Sequence, residues 1–196
     1  MSLPLPNTPL TAAEYLEWEA TQETRSEFIN GQVYAMAGGT LAHNAATLAT
    51  GASLRQHLKG GPCRAFVSDV RVQVQVQVQV QVQVQSSNSY FYPDVVVACQ
   101  PTELADPQSM ALAEPKVIVE VLSPSTAAFD RGGKFAHYRL LDSLQEYVLI
   151  DPDTAQVDVF RRNAANRWEL FPSMGASASV ELASVGWVGV VGDWLE

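Results

Sequence analysis

The sequence predicts an α/β chain, with one central mixed sheet flanked by helices, and three observations carry that expectation. Helical and strand patterns intermix along the 196 residues instead of separating into halves. Short β-branched runs bounded by turn residues, such as Val95-Val96-Val97 and Val117-Ile118-Val119, have the form of buried strands. At 47% hydrophobic, the chain can bury a substantial core, and a single domain over 1–196 is the default.

Thr11-Ala12-Ala13-Glu14 has the form of a capping box, so a helix is expected from there to about residue 24. Asn30-Gly31 between two alternating runs predicts a hairpin over 26–36, because both residues tolerate the positive φ of a type I′ turn. Leucines among alanines predict a helix over 41–59, stopped by Gly60-Gly61-Pro62. One strand is expected over 63–72 and another over 90–99, with a turn at Ser86-Ser87-Asn88-Ser89. A polar loop over 101–115 follows, then a strand ending near Leu122 and a connection over 123–129. The remaining expectations are a helix over 130–141, a strand over 146–150, a hairpin around Asn163, and a last strand over 180–195.

Residues 72–85 are an unbroken Val-Gln alternation, the period-two pattern of a strand. Fully extended, the tract would reach roughly 45 Å at 3.3 Å per residue, well beyond an ordinary strand. Along it, valines occupy one face and glutamines the other. It reads as a low-complexity insertion that lengthens a hairpin into an arm, or as an arm that pairs with another subunit; the first reading is preferred. A slip of two residues restores the same pattern, so the repeat itself specifies register weakly.

The net charge of −9 argues against holding nucleic acid by a broad basic face, but not against phosphodiester chemistry through a metal and a few local cations. No apolar stretch approaches the roughly 20 residues that span a bilayer. Met1 to Pro6 lacks the features of a secretion signal. The two cysteines, Cys63 and Cys99, form no CxxC pair, so a zinc ribbon is disfavoured, a disulfide is unsupported, and a reducing cytoplasm is expected. Cys99 is expected to pack as a small hydrophobe.

Two acidic residues sit at the tips of apolar runs: Asp94 after Pro93, and Glu120 within Val119-Glu120-Val121-Leu122-Ser123-Pro124-Ser125-Thr126. A carboxylate buried in such a run is costly unless neutralised, and two together repel. A shared divalent cation is an economical resolution. The bland alternatives are a turn-forming aspartate and a buried ion pair of Glu120 with Lys134 or Arg131.

The order of hairpin, helix, Pro93-Asp94, the Glu120 segment, Asp130 with Lys134, and Glu146-Tyr147 with Asp151-Pro152 resembles the Uma-two family. Its members fall within the PD-(D/E)XK, restriction-endonuclease-like superfamily. The resemblance implies that fold, and a Mg²⁺ site (Mn²⁺ a possible substitute) held by Asp94, Glu120 and the carbonyl of Val121. It also implies a lysine that assists the attacking water. The superfamily position for that lysine carries Leu122 here, which points to Lys134, with Lys116 a weaker candidate. Asp130 and Lys134 also have the i, i+4 spacing of an ordinary helical ion pair. Glu27 and His43 match acidic and histidine positions of relatives and are possible accessory residues; Glu27 could instead pair with Arg25. Tyr138 reads as core, and Ser123 as a possible lining residue.

The function so implied is a Mg²⁺-dependent endonuclease hydrolysing DNA phosphodiester bonds by metal-activated water. It would engage DNA transiently, without a membrane, as a homodimer. The alternatives are a catalytically decayed nuclease-fold binding or assembly module, and a hydrolase of small phosphoesters.

Overall fold

The computed structural model describes residues 4–5, 9–36, 38–80 and 83–195, with backbone only for 4–5, 76–80 and 83–87. Most of the stretch from Met1 to Pro6, and Gln81 and Val82 of the Val-Gln tract, lie outside the described residues. After β1 (Pro4–Leu5), α1 (Ala12–Glu19) opens on Thr11 with both halves of its capping box made, Glu14 N–H to Thr11 Oγ1 at 3.2 Å and Thr11 N–H to Glu14 Oε2 at 2.7 Å. It stops at Glu19, short of the expected residue 24. β2 (Ser26–Ile29) and β3 (Gln32–Ala35) form the expected hairpin, with Asn30 at φ 46° and Gly31 at φ 99°. α2 (Leu41–His57) follows, capped by Thr40, whose hydroxyl accepts the His43 N–H at 3.1 Å.

Both strands expected next are broken at the same level. The first divides into β4 (Arg64–Val67) and β5 (Arg71–Val80), and the second into β6 (Gln83–Phe91) and β7 (Val95–Ala98). Ser68 adopts φ 56°, and its N–H donates to the Asp94 carbonyl at 3.1 Å. Pro93, with no N–H to give a ladder, stands opposite that bend. The halves therefore enter different sheets, and Asp94 sits at the joint.

The turn expected at 86–89 is strand. β5 and β6 pair from Val72↔Phe91 to Val80↔Gln83, so the repeat folds back on itself. The arm is about 30 Å long at 3.3 Å per residue, not 45 Å. Register sums are odd here, so valine and glutamine positions alternate across the ladder as well as along it: Val78↔Gln85, Gln79↔Val84. Asn30 fixes the returning strand, donating its N–H to the Asn88 carbonyl at 3.1 Å and accepting the Asn88 N–H on Oδ1 at 3.0 Å.

The 101–115 loop contains α3 (Pro101–Leu104) and β8 (Ala111–Leu112). β9 (Pro115–Val121) leads to a helical stretch that starts earlier than expected, at α4 (Ala127–Phe129). It widens into a π-helical turn (Asp130–Lys134) and ends in α5 (Phe135–Tyr138). Gly133 is required in that turn, since a Cβ there would lie 2.4 Å from the Phe129 ring. β10 (Glu146–Asp151), β11 (Gln156–Arg162) and β12 (Trp168–Met174) follow as expected. The last expected strand is a hairpin, β13 (Ser179–Leu182) and β14 (Trp187–Val190), then a 3₁₀ turn (Val191–Trp194). Gly186 at φ 67° reverses the chain, and Trp187 stacks on Trp194 with centroids 4.5 Å apart.

The mixed α/β class holds, but two six-stranded sheets replace the single one expected. Their orders are β1-β3-β2-β6-β5-β8 and β12-β11-β10-β9-β7-β4, beside the small β13-β14 sheet. Within the second, β9 pairs parallel to β10 and antiparallel to β7. Both faces of β9 and β10 are covered, which is why their sequences read as continuous apolar runs. The cysteine expectation is corrected as well. Register places Cys63 beside Cys99 at the ends of β4 and β7, and they form a disulfide, S–S 2.07 Å. Among the described residues no helix is long and apolar enough to cross a membrane.

Candidate active site

The joint between the two large sheets opens a pocket of about 200 Å³ that gathers side chains from six elements and the loops between them. Pro93 ends one sheet and β7 begins the other, so Asp94 is carried to the C-terminal end of β9. Its Oδ2 accepts the Val121 N–H at 2.7 Å and lies 3.3 Å from His43 Nε2. His43 reaches there from the first turn of α2. Gly39 gives it room, since a Cβ at that position would approach His43 Nδ1 to 2.8 Å. Glu120, 3% exposed, projects from the opposite side of β9 to Val121.

Lys134 comes in from the π-helical turn. Its Nζ lies 2.9 Å from Glu27 Oε1, 3.1 Å from Glu120 Oε1 and 3.6 Å from Asp130 Oδ1. Glu27 arrives from β2 and also accepts the Tyr92 N–H, at 3.4 Å. The Tyr138 hydroxyl donates to the same Glu120 Oε1 at 3.1 Å. Tyr147 donates to the Asp130 carbonyl at 2.9 Å and so pins the π turn, and the Phe91 ring lies 5.8 Å from the ammonium.

The charge balance is uneven. Glu27, Asp94, Glu120 and Asp130 line the pocket with Lys134 as their cation, which leaves three formal negative charges when His43 is neutral. Burial, reinforced by Asp130, Asp94 and Glu27, raises the Glu120 carboxyl well above the ordinary range, against the pull of Lys134. Burial alone would lower Lys134, but Glu120, Glu27 and Asp130 outweigh it and raise it. Both directions describe a site short of positive charge, with the lysine held as ammonium and Glu120 retaining a proton more readily than a free glutamate. His43 is raised chiefly by its hydrogen bond to Asp94, against burial, with a further backbone bond to Val121.

The sequence-derived residues Glu27, His43, Asp94, Glu120, Val121 and Lys134 thus converge. The helical-pair reading of Lys134 is incomplete: Asp130 is the most distant of its three carboxylates. The bland reading of Glu120 is met in part, since it does pair with Lys134, whereas Arg131 pairs with Asp158 at 2.8 Å. Arg25 pairs with Asp69 at 3.9 Å and not with Glu27. Leu122 is buried and shares an apolar cluster with Ile118 and Tyr138, so the departure from the superfamily pattern fills core while the cation comes from the helix above. Sequence reading missed Asp130 as a third carboxylate and Tyr138 as a hydrogen-bond donor. The Asp130–Lys134 spacing and Gly132-Gly133 were the available signals, but a π turn has no signature that periodicity would reveal.

Among the described residues no group of three or more Asp, Glu, His and Cys side chains is arranged to hold a metal ion. Mg²⁺ takes one or two carboxylates and keeps several waters, and the oxygens of Asp94, Glu120 and the Val121 backbone are of the required hard type. The uncompensated negative charge of the pocket points the same way.

A family model described as putative restriction endonuclease, Uma2, matches residues 12–191. Two Synechocystis sp. proteins are similar, the uncharacterized slr1290 and sll1609. The first is 36% identical over 185 residues, 94% of this chain and 90% of its own length. The second is 37% identical over 174 residues, 89% of this chain and 93% of its own. The crystal structure of a putative nuclease belonging to DUF820 from Anabaena variabilis superposes with a TM-score of 0.75. It covers 95% of this chain and 98% of that one at 20% identity, a likeness of fold.

Proposed function

The chain belongs to the Uma2 family of putative restriction endonucleases, and from that premise we propose that it is a Mg²⁺-dependent endonuclease hydrolysing DNA phosphodiester bonds. The observation that carries the reading is the convergence of Asp94, Glu120 and Lys134 in one negatively charged pocket at the joint of two sheets. Asp94, Glu120 and the Val121 carbonyl would hold the ion, and Mn²⁺ would substitute. Bound there, it supplies a water of lowered pKa and charge stabilisation at the phosphate.

The chain's own residues divide the remaining work. Lys134, kept as an ammonium by its carboxylates, serves as a hydrogen-bond donor to water or a phosphate oxygen and not as a base. Tyr138 and Lys134 both hold Glu120 Oε1 and so fix the position of that carboxylate. Glu27 orients Lys134, and His43 orients Asp94. No covalent intermediate is needed. One restriction-endonuclease-like domain would span 1–196 and bind DNA transiently, and a homodimer would present two sites to two strands.

A decayed nuclease-fold binding module is the second reading. It is favoured by the way Lys134 and His43 already occupy the carboxylates. Plasmid nicking separates the two. Nicking is expected with Mg²⁺ or Mn²⁺ and should disappear in Glu120→Ala, while Mn²⁺ binding disappears in Asp94→Ala. Intact plasmid with wild-type protein across metals and salt concentrations would remove the enzymatic reading, and turnover of a small diester alone would redirect it to small phosphoesters.

A further inference from the structure

Between the C-terminal end of α2 and the edge strand β4 lies a second concavity, of about 750 Å³, lined by Arg55, Lys59 and Arg64 over a floor that includes Leu58 and Phe66. No carboxylate lines it. We propose that this basic pocket is an anchor for nucleic-acid backbone phosphates, a contact surface separate from the cleavage site and resting on the nuclease reading above.

Half of the twelve cations have no carboxylate partner among the described residues, and three of those six line this one concavity. Arg25, Arg71, Arg131, Lys134, Arg161 and Arg162 each engage a carboxylate. Among the described residues Arg55, Lys59 and Arg64 engage none, although acidic residues outnumber basic ones by 21 to 12 in the chain. All three are exposed. Three like charges gathered without counter-charge in a concave surface repel one another, and an anion relieves that repulsion.

The helix dipole accounts for only part of this arrangement. A cation near the end of α2 gains from the helix C-terminus. Arg64, however, lies on β4 beyond the helix. Its Nη1 donates to the carbonyls of Gly61 at 2.7 Å and Cys63 at 2.9 Å. Both bonds use one nitrogen, so they orient the guanidinium and leave its other donors available for a bidentate partner such as phosphate.

A polyanion suits the site for reasons of charge and distance. At −9, most of the surface repels DNA, and close approach requires a place where unpaired cations are concentrated. His43, in the candidate active site, and Arg55 are both on α2. Twelve residues at 1.5 Å rise separate them by about 18 Å along the helix axis. That distance corresponds to about five base steps of duplex at 3.4 Å each. That axial distance is within the length of a short duplex.

The test is binding of a labelled duplex by fluorescence anisotropy, in EDTA so that nothing is cut, across a salt series. Wild type is compared with Arg55→Gln/Lys59→Gln/Arg64→Gln. The double variant Arg55→Gln/Lys59→Gln spares the orienting bonds of Arg64, and Arg139→Gln/Arg167→Gln serves as a charge-matched control away from the pocket. Each lost phosphate contact flattens the log–log salt slope by about 0.9, so the triple variant should lose about 2.7. Equivalently, raising salt fourfold should cost wild type about 40-fold more affinity than the triple variant. The double variant should lose about two-thirds of that slope, and the control should match wild type. Equal slopes in wild type and triple variant overturn the anchor, as does a pocket that binds inorganic phosphate while leaving duplex affinity unaffected by the substitutions. Plasmid nicking in Mg²⁺, run alongside, keeps the two claims apart. Nicking with unchanged slopes removes the anchor alone, and a lost slope without nicking removes the nuclease alone.

Discussion

Replacing Lys134 with methionine tests whether the pocket depends on a single buried cation. The side chain is 8% exposed and the carboxylates around it are 13%, 4% and 4% exposed for Glu27, Glu120 and Asp130. Methionine keeps the length and apolar stem but leaves three buried carboxylates without their cation. Breaking a buried ion pair by removing one partner costs about 3–5 kcal/mol. For a chain of this size each kcal/mol lowers Tm by about 2–4 °C, so a fall of about 6–20 °C is expected at neutral pH.

The pH dependence gives a second check. The folded Glu120 pKa lies above its ordinary value of 4.5, so between the two the folded state binds more protons than the unfolded state. Stability therefore declines as pH rises through that window. Lys134 is the influence that lowers the Glu120 value, so its loss widens the window and deepens the decline. Lys134 itself has a raised value, and its own contribution is present below 10.5 and lost only as pH rises through the folded value. Melting curves by circular dichroism in EDTA should show the gap between wild type and Lys134→Met narrowing from pH 8 towards pH 5. Added Mn²⁺ should restore more of the variant's Tm than of the wild type's. A fall under about 2 °C, or a gap that widens towards acid, refutes the claim that Lys134 neutralises this site.

Three further outcomes follow from separate contacts. In wild type, protonated His43 holds Asp94 at low pH, so Mn²⁺ affinity by calorimetry should rise with pH through the raised His43 value. His43→Gln should flatten that rise, and an equally steep variant would assign it elsewhere. Gly133→Ala forces a Cβ to within 2.4 Å of Phe129 and should cost about 1–3 kcal/mol by thermal melts, with Phe129→Ala in the same chain relieving the contact. Additive effects of the two changes would contradict it. The disulfide joins residues 36 apart, and its loss should cost about 4 kcal/mol on chain entropy. Reductant should lower the wild-type Tm to that of Cys63→Ser and leave the variant unaffected; a reductant-insensitive wild type would mean the thiols are free.

Local chemistry made the helix caps, the Asn-Gly hairpin and the buried strands legible, because each depends on residues close in sequence. Asp94 and Glu120 were legible for a different reason, since a carboxylate in an apolar run has few tolerable explanations, whereas Glu27, His43, Val121 and Lys134 came only from the family resemblance. What stayed hidden depended on distant partners. Nothing local says that Ser68 and Pro93 bend together, yet that shared bend divides one expected sheet into two and opens the pocket. Cys63 and Cys99 meet only because β4 and β7 align, which a spacing of 36 does not disclose. The turn at 86–89 was misplaced because Ser-Ser-Asn-Ser suits a turn locally, while Asn30 holds Asn88 in an extended ladder.

The Val-Gln arm presents the reverse case, a pattern that is obvious in sequence and weakly tied to the fold. Its base is specified by residues outside the repeat: Val72 and Val74 are fully buried in the cluster containing Phe91, and Asn88 is clamped by Asn30. A slip of two residues would satisfy the repeat but would displace Phe91 and Asn88 from these partners. Beyond Gln75↔Asn88, among the described residues, β5 and β6 pair only with each other. Excising residues 76–87 and closing the strands with Asn-Gly should therefore preserve the fold. Loop closure depends only weakly on length, about 0.6 kcal/mol per doubling, so Tm should stay within about 5 °C and Mn²⁺ affinity should not change. Sedimentation of the same variant addresses the role of the arm. An unchanged mass supports a repeat that lengthened without a partner, whereas a dimer reduced to monomer makes the arm the interface. A variant that fails to fold would show that register is set along the repeat, contrary to the anchoring at its base.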